Sequence, residues 1–478
     1  MDASQSEGVA GGLVVASHQA AANAGAVALT KGGTAVDAAV ATALALSVVD
    51  PASCGIGGYG GFLVYSPPEG EPIQVDLNTW PPRRLDPALL RIPGNPTQPL
   101  DGGIAVAPPA VVPGLHAAHA RFGSVTWEDL VMPAVRLARH GFAIGRDLTR
   151  AFSDHWSRTD GGHTSFASIF FPKGRPPERG TWLVQPELAR TLETIARDGA
   201  AAFSESSFVE AACAVVVGDG GVLDQEDFRE GMSVVSPAVA ERFEAATIYG
   251  PSPKTSGAGV LFGALRHLDT DRLGATRDGA YVAELVRALG LAWRERAQEA
   301  QAALTAQHTT HLCAADAAGG LASLTFTHGH RRFGSGLVAP GTGVVLNSGM
   351  NLFSPTPDGP RPVTNMTPVI VHDEFGHRHA VGSVGGPRIP GILLSAVVDL
   401  VHYRATISEA IGAPHLGARA SDGALEGEPE LLAALNVSEE AVPLVAGVAF
   451  GATCGITRTA DRALPGPDYR FECGVAWT

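Results

Sequence analysis

Apolar residues along this chain change their spacing from one block to the next. "LVVASH" (13–18) is a β-branched run with strand character, and "AAANAGAVALTKGG" (20–33) sets small apolar residues at helical spacing before a Gly32-Gly33 stop. "TAVDAAVATALALSVV" (34–49) predicts a second helix, packed closely through its alanines. After Pro51, "SCGIGGYGGFLVY" (53–65) predicts a glycine turn leading into a strand over 61–65.

Residues 110–300 read mostly as helix, with apolar positions at i, i+3, i+4 and i+7 in 125–144, 185–203 and 279–304. Strands are expected to be sparse there. From Thr310 onward the signals turn to strands, in "GLASLTFT" (320–327), "PVIVHD" (368–373) and "HAVGSVGG" (379–386), followed by a helix in "ILLSAVVDLVHYR" (392–404). No internal repeat or low-complexity linker separates the two textures, so one interleaved α+β fold is expected.

Composition narrows the chemistry. With 478 residues, 45% hydrophobic and 17% charged, the chain can bury a large core. A formal charge of -14 disfavours nucleic acid and anionic membrane and favours small-molecule chemistry. The longest apolar stretch, 38–49, is too short for a bilayer span, and "MDASQSEGVAGG" (1–12) lacks the basic and apolar regions of a signal peptide, so a cytoplasmic location is expected. Five cysteines without a CxxC pair suggest neither a zinc site nor a disulfide framework. "GIGGYGG" (55–61) runs from helix to strand, the reverse of a phosphate-binding loop.

Candidate chemistry centres on "AQHTTHLCAADAAGG" (306–320), where Thr-Thr-His precedes an apolar strand and reads as a place where the chain is cut. Cleavage would leave Thr309 as an amino terminus. An N-terminal threonine attacks a carbonyl with its hydroxyl while its own α-amine serves as general base. Thr309 can also be a plain buried-strand threonine.

Several motifs in one order resemble the γ-glutamyltransferase family of N-terminal-nucleophile (Ntn) hydrolases. They are the stretch "VVASHQ" to "GGFLVY", "VVPGLHAAHARFG", "MPAVRLARHGFAI", the "TTH" onset, "FGSG", "PGTGVVLNSGM" and "VGSVGGPRI". The resemblance implies an αββα sandwich, two stacked antiparallel sheets flanked by helices. It also implies self-cleavage into a large subunit (1–308) and a small subunit (309–478) that stay associated, with Thr309 as nucleophile. Thr327 matches a second threonine that bonds the nucleophile, and Gly385-Gly386 match the oxyanion-hole pair; a strand threonine and ordinary turn glycines are the alternatives. Asn347, Thr364 and Asn365 fall on substrate-binding positions, Thr364-Asn365 where the family has a Ser-Ser pair.

The chain departs from the family where a γ-glutamyl group would be held. The family's "NNQMDDF"-like segment reads "NSGMNLF", with Gly349 for a Gln and Leu352 for the amine-binding Asp. An ammonium there would be desolvated and unpaired. Near the expected carboxylate-binding Arg stand Arg83, Arg84 and Asp86 in a loose match. His328, His330, Arg331 and Arg332 are expected to crowd the entrance beside Thr327, as a carboxylate grip or a solvated loop cluster. Together with His372, His377 and His379 these histidines raise a metal reading, but 372–379 looks like a polar hairpin and Ntn chemistry needs no metal. No metal or cofactor is expected.

The expectation is therefore an acyl-enzyme on Thr309 that hydrolyses a small acidic, non-γ-glutamyl amide or an activated C–C bond. Alternatives are a C–C bond hydrolase of an alkylproline antibiotic pathway, a true γ-glutamyltransferase or glutathione hydrolase, and an inactive binding protein.

Overall fold

Period-two alternation sorts the inner strands' side chains onto two faces, and each face finds a different partner. In this computed structural model the described residues are 8–86, 100–229, 233–299, 308–354, 360–418, 425–428 and 451–478. A seven-stranded sheet runs in the order Gly474–Trp477, Leu13–Ala16, His308–Ala315, Leu321–Gly329, Gly60–Ser66, Ile73–Asp76, Val234–Pro237. A six-stranded sheet runs Ala463–Gly466, Ala452–Arg458, Arg378–Val384, Val369–His372, Ala246–Gly250, Val239–Phe243. Every pairing in both sheets is antiparallel.

Val14, Ala16, Leu312, Ala314 and Leu324 pack outward beneath the helices Gln19–Thr30, Ala35–Val49 and Trp127–His140. Their alternates Leu13, Val15, Cys313, Ala315 and Leu321 pack inward against Ile370, Ala380, Cys454 and Ile456 of the other sheet. That sheet's outer face is covered by Ala258–His267, Gly279–Glu299 and Ile389–Val401. The result is the expected αββα sandwich. The candidate subunits interleave within it, because His308–Ala315 lies between Leu13–Ala16 and Leu321–Gly329.

Helix Ala35–Val49 is buried at all 15 positions, which explains why apolar residues fall on every side of it, with Asp37, Thr42 and Ser47 the polar exceptions. Thr34 and Asp37 form a capping box at its start. The preceding helix ends at Thr30 as expected, with Gly32 N–H donating to Leu29 O (2.9 Å) and Gly33 N–H to Ala28 O (3.0 Å). Asp316, in the turn after His308–Ala315, accepts from Gly320 N–H (2.7 Å) and from Ala35 N–H (2.9 Å), tying the candidate nucleophile strand to the buried helix.

Strands in 110–300 are less sparse than the pattern predicts. Val234–Pro237 ends the first sheet, and Val239–Phe243 with Ala246–Gly250 ends the second. These are elements of four or five residues at the ends of the sheets, too short to display a period. The last residues of the expected helix over 279–304 lie outside the described residues. Among the described residues no single helix is long and apolar enough to cross a membrane.

Candidate active site

The site begins with one antiparallel pair. Thr309 stands directly opposite Thr327, and a register shift beyond Thr327 brings Gly329 opposite His308. Thr327 Oγ1 accepts from Gly329 N–H (2.8 Å) and donates to the carbonyl oxygen of His308 (2.5 Å). A donor thus rests on the peptide bond that precedes Thr309. Thr309 Oγ1 is buried and has no hydrogen-bond partner among the described residues.

Thr309 lines a cavity of about 350 Å³ together with Gly385, Arg332 and Asp50. Val49, Phe142, Leu148, Ala151 and Phe471 make much of its wall apolar. Gly385 (φ 139°) and Gly386 (φ 63°) turn the chain from strand Arg378–Val384 into helix Ile389–Val401, in backbone conformations that a side chain disfavours. Gly386 itself is buried.

The two arginines that the sequence groups together diverge. Arg332 lines the Thr309 cavity, with Nη1 3.5 Å from Asp154 Oδ2. Arg331 turns to a separate cavity beside His155 and Arg158 and pairs with Asp101 at 2.5 Å. His328 is not at the entrance. Strand alternation sends it to the face opposite Thr327, where it is buried and its ring packs on Gly55, and burial lowers its pKa to about 3. His330 is half-buried and donates its backbone N–H to Ser348 Oγ (3.0 Å).

Asn347, Thr364 and Asn365 are buried away from the cavity that holds Thr309. Asn347 is a clamp on the backbone: Nδ2 donates to Gly57 O and Ala107 O (both 2.9 Å), and Oδ1 accepts from Ala107 N–H (3.0 Å) and Gly349 N–H (2.9 Å). Thr364 Oγ1 accepts from Met366 N–H (3.2 Å), and the Asn365 carbonyl accepts from Thr367 Oγ1 (2.8 Å). Arg83 donates its backbone N–H to Asp227 (2.8 Å) and Arg84 lies 3.6 Å from Asp224; neither lines the cavity, and the end of that segment, 87–90, lies outside the described residues. In the histidine-rich hairpin, His377 and His379 lie 3.3 and 3.4 Å from Asp373, and His379 also bonds Thr457.

The two positions that the resemblance gives to the γ-glutamyl group, 349 and 352, are closed. Leu352 is fully buried in an apolar cluster with Tyr59, Phe62, Met350, Phe353 and Met366. A Cβ on Gly349 would come within 2.6 Å of Tyr59 Cβ and 3.0 Å of Ala107 Cβ, so no Gln fits without displacing them.

Asp50 escaped the sequence reading. It caps helix Ala35–Val49, faces the cavity, and has its pKa pushed up to about 7, chiefly by burial, against the opposing pull of a Ser53 hydrogen bond and the Arg332 charge. An ionisable residue ending a helix whose second half is almost wholly apolar was the available signal. Arg150 and Arg388 also stand on the cavity wall; Arg150 belongs to no motif, whereas Arg388 lies in "VGSVGGPRI" but was given no role.

Two stacked antiparallel sheets between helical layers, with the candidate nucleophile opening an inner strand, define the Ntn-hydrolase fold. Cephalosporin acylase from Bacillus halodurans shares it, with a TM-score of 0.84 at 22% identity over 98% of this chain and 95% of that one. The sequence identifies the group: the chain matches the family described as Gamma-glutamyltranspeptidase over residues 21–302 and 292–477, and it belongs to that family. It is 30% identical to the Acylase ACY 1 proenzyme of Pseudomonas sp. (strain SE83), covering 85% of this chain and 82% of the relative. It is 26% identical to the Glutathione hydrolase proenzyme of Escherichia coli (strain K12), covering 84% and 80%.

Proposed function

We propose that this chain is a self-processing acylase that uses Thr309 to hydrolyse a small acidic acyl group other than γ-glutamyl. The observation that carries the processing step is the Thr327 hydroxyl on the His308 carbonyl, beside the Thr309 hydroxyl, which has no partner among the described residues. Attack by Thr309 Oγ1 on that carbonyl moves the His308 acyl group from nitrogen to oxygen. Water then cleaves the ester, leaving a carboxylate on His308 and a free α-amine on Thr309.

In turnover the same hydroxyl attacks the substrate carbonyl and passes its proton to the α-amine. Gly385 and Gly386 supply backbone donors to the developing oxyanion. The α-ammonium protonates the leaving group, and its amine then activates the water that releases the acid. Arg332 meets the acyl group's carboxylate, while Phe142, Leu148 and Ala151 take its carbon chain.

The pocket argument rests on Leu352 and Gly349, which leave an α-ammonium no counter-charge. A panel of anilides tests it. Short dicarboxylic monoacyl anilides are expected to exceed the γ-glutamyl anilide in kcat/KM by about 10- to 100-fold, the worth of a charged contact. Arg332→Ala should erase that preference while Arg331→Ala keeps it. Equal or better use of γ-glutamyl anilide would sink the assignment.

A further inference from the structure

We propose that the floor of the Thr309 cavity is a binding site for a soft divalent metal ion, zinc or cadmium, held by His311, Cys313 and Cys454. One ring nitrogen of His311 and the two Sγ atoms all lie within 4.8 Å of one another, and His311 Nε2 is 3.2 Å from Cys313 Sγ. A zinc ion with bonds of about 2.3 Å to sulfur and about 2.0 Å to nitrogen needs its ligands roughly 3.5–4 Å apart, so small side-chain adjustments admit it.

Topology builds the cluster. Thr309, His311 and Cys313 share the inward face of one strand by period-two alternation, and Cys454 reaches them from the facing sheet. The sheets approach closely there: a Cβ on Gly382 of the second sheet would fall 2.1 Å from His311 Cε1. Thr325, opposite His311 in the register, bonds its Nδ1 at 2.9 Å and so leaves Nε2 toward the sulfurs. An outer partner on the far nitrogen is how ligating imidazoles are oriented.

Two thiolates and a neutral imidazole balance a divalent charge, which suits a buried position, and thiolate donors select zinc or cadmium over magnesium or calcium. All three side chains are at most 5% exposed. His311 and Cys454 also line the Thr309 cavity, which is the ion's route in and leaves its open coordination position toward the nucleophile. Occupancy would therefore restrain turnover. No sequence motif announces the set, because Cys313 and Cys454 are 141 residues apart.

The test is titration of the purified protein, under reducing conditions, with cadmium alone while following the ultraviolet thiolate-to-cadmium charge-transfer band. Saturation at one equivalent is expected, lost in Cys313→Ser and in Cys454→Ser and retained in Cys213→Ser. Thr325→Val should weaken binding about 10- to 100-fold by releasing the imidazole. Circular dichroism of each variant establishes that it is folded. Absence of the band in wild-type protein, or its persistence in both Cys313→Ser and Cys454→Ser, overturns the proposal.

Discussion

Thr327 serves the peptide bond before Thr309 rather than the sheet alone, since its hydroxyl is held by Gly329 N–H and placed on the His308 carbonyl. Thr327→Val keeps the shape and removes that donor. Self-cleavage of the variant is expected to slow about 100-fold, the usual worth of one donor on a developing oxyanion, and gel densitometry against time would measure it. Processing at the wild-type rate would reduce Thr327 to a strand residue. His328, its neighbour on the other face, reports on burial. Its pKa is near 3 in the fold and 6.5 otherwise, so between these values the unfolded chain takes up a proton that the folded chain refuses. Stability is therefore lost as pH falls through that window. From pH 6 to pH 4 the slope of unfolding free energy should be shallower in His328→Asn than in wild type by about 1.4 kcal/mol per pH unit; parallel slopes in urea titrations would contradict the assignment.

Elements with strong periods are legible in the sequence. The alanine-rich helix over 34–49, the helix stop at Gly32-Gly33, and the strands containing "GFLVY" and "GLASLTFT" all stand where the pattern puts them. The strands near 234–250 were not legible, being only four or five residues long, nor was Ala452–Arg458, which is buried at six of its seven positions and so shows no alternation. Asp316 is a case that only the fold explains. Its carboxylate serves both the turn at Gly320 and the first turn of helix Ala35–Val49, so Asp316→Ala leaves two buried amides without acceptors. A loss of about 2–3 kcal/mol is expected from unfolding midpoints in urea. A midpoint within error of wild type would mean that the tie between strand and helix carries no stability.

At the scale of the whole molecule, stretches that the motifs single out come together: Thr309 pairs with Thr327, and Thr309 and Gly385 line one cavity. The sequence did not separate Arg331 from Arg332, and it did not place Asn347, Thr364 or Asn365 away from the cavity, because those positions depend on which face of a turn or strand meets the other sheet. Asp50 and the His311–Cys313–Cys454 cluster needed the full sandwich, which joins residues far apart in sequence. The interleaving of 1–308 with 309–478 also means that a cut before Thr309 leaves two pieces held by a continuous sheet. Intact mass and amino-terminal sequencing of purified protein test this account most directly. Two co-purifying chains, the smaller beginning at Thr309, are expected from wild type, and a single chain from Thr309→Ala. Wild-type protein that stays uncut on prolonged incubation, or a cut elsewhere, would contradict it.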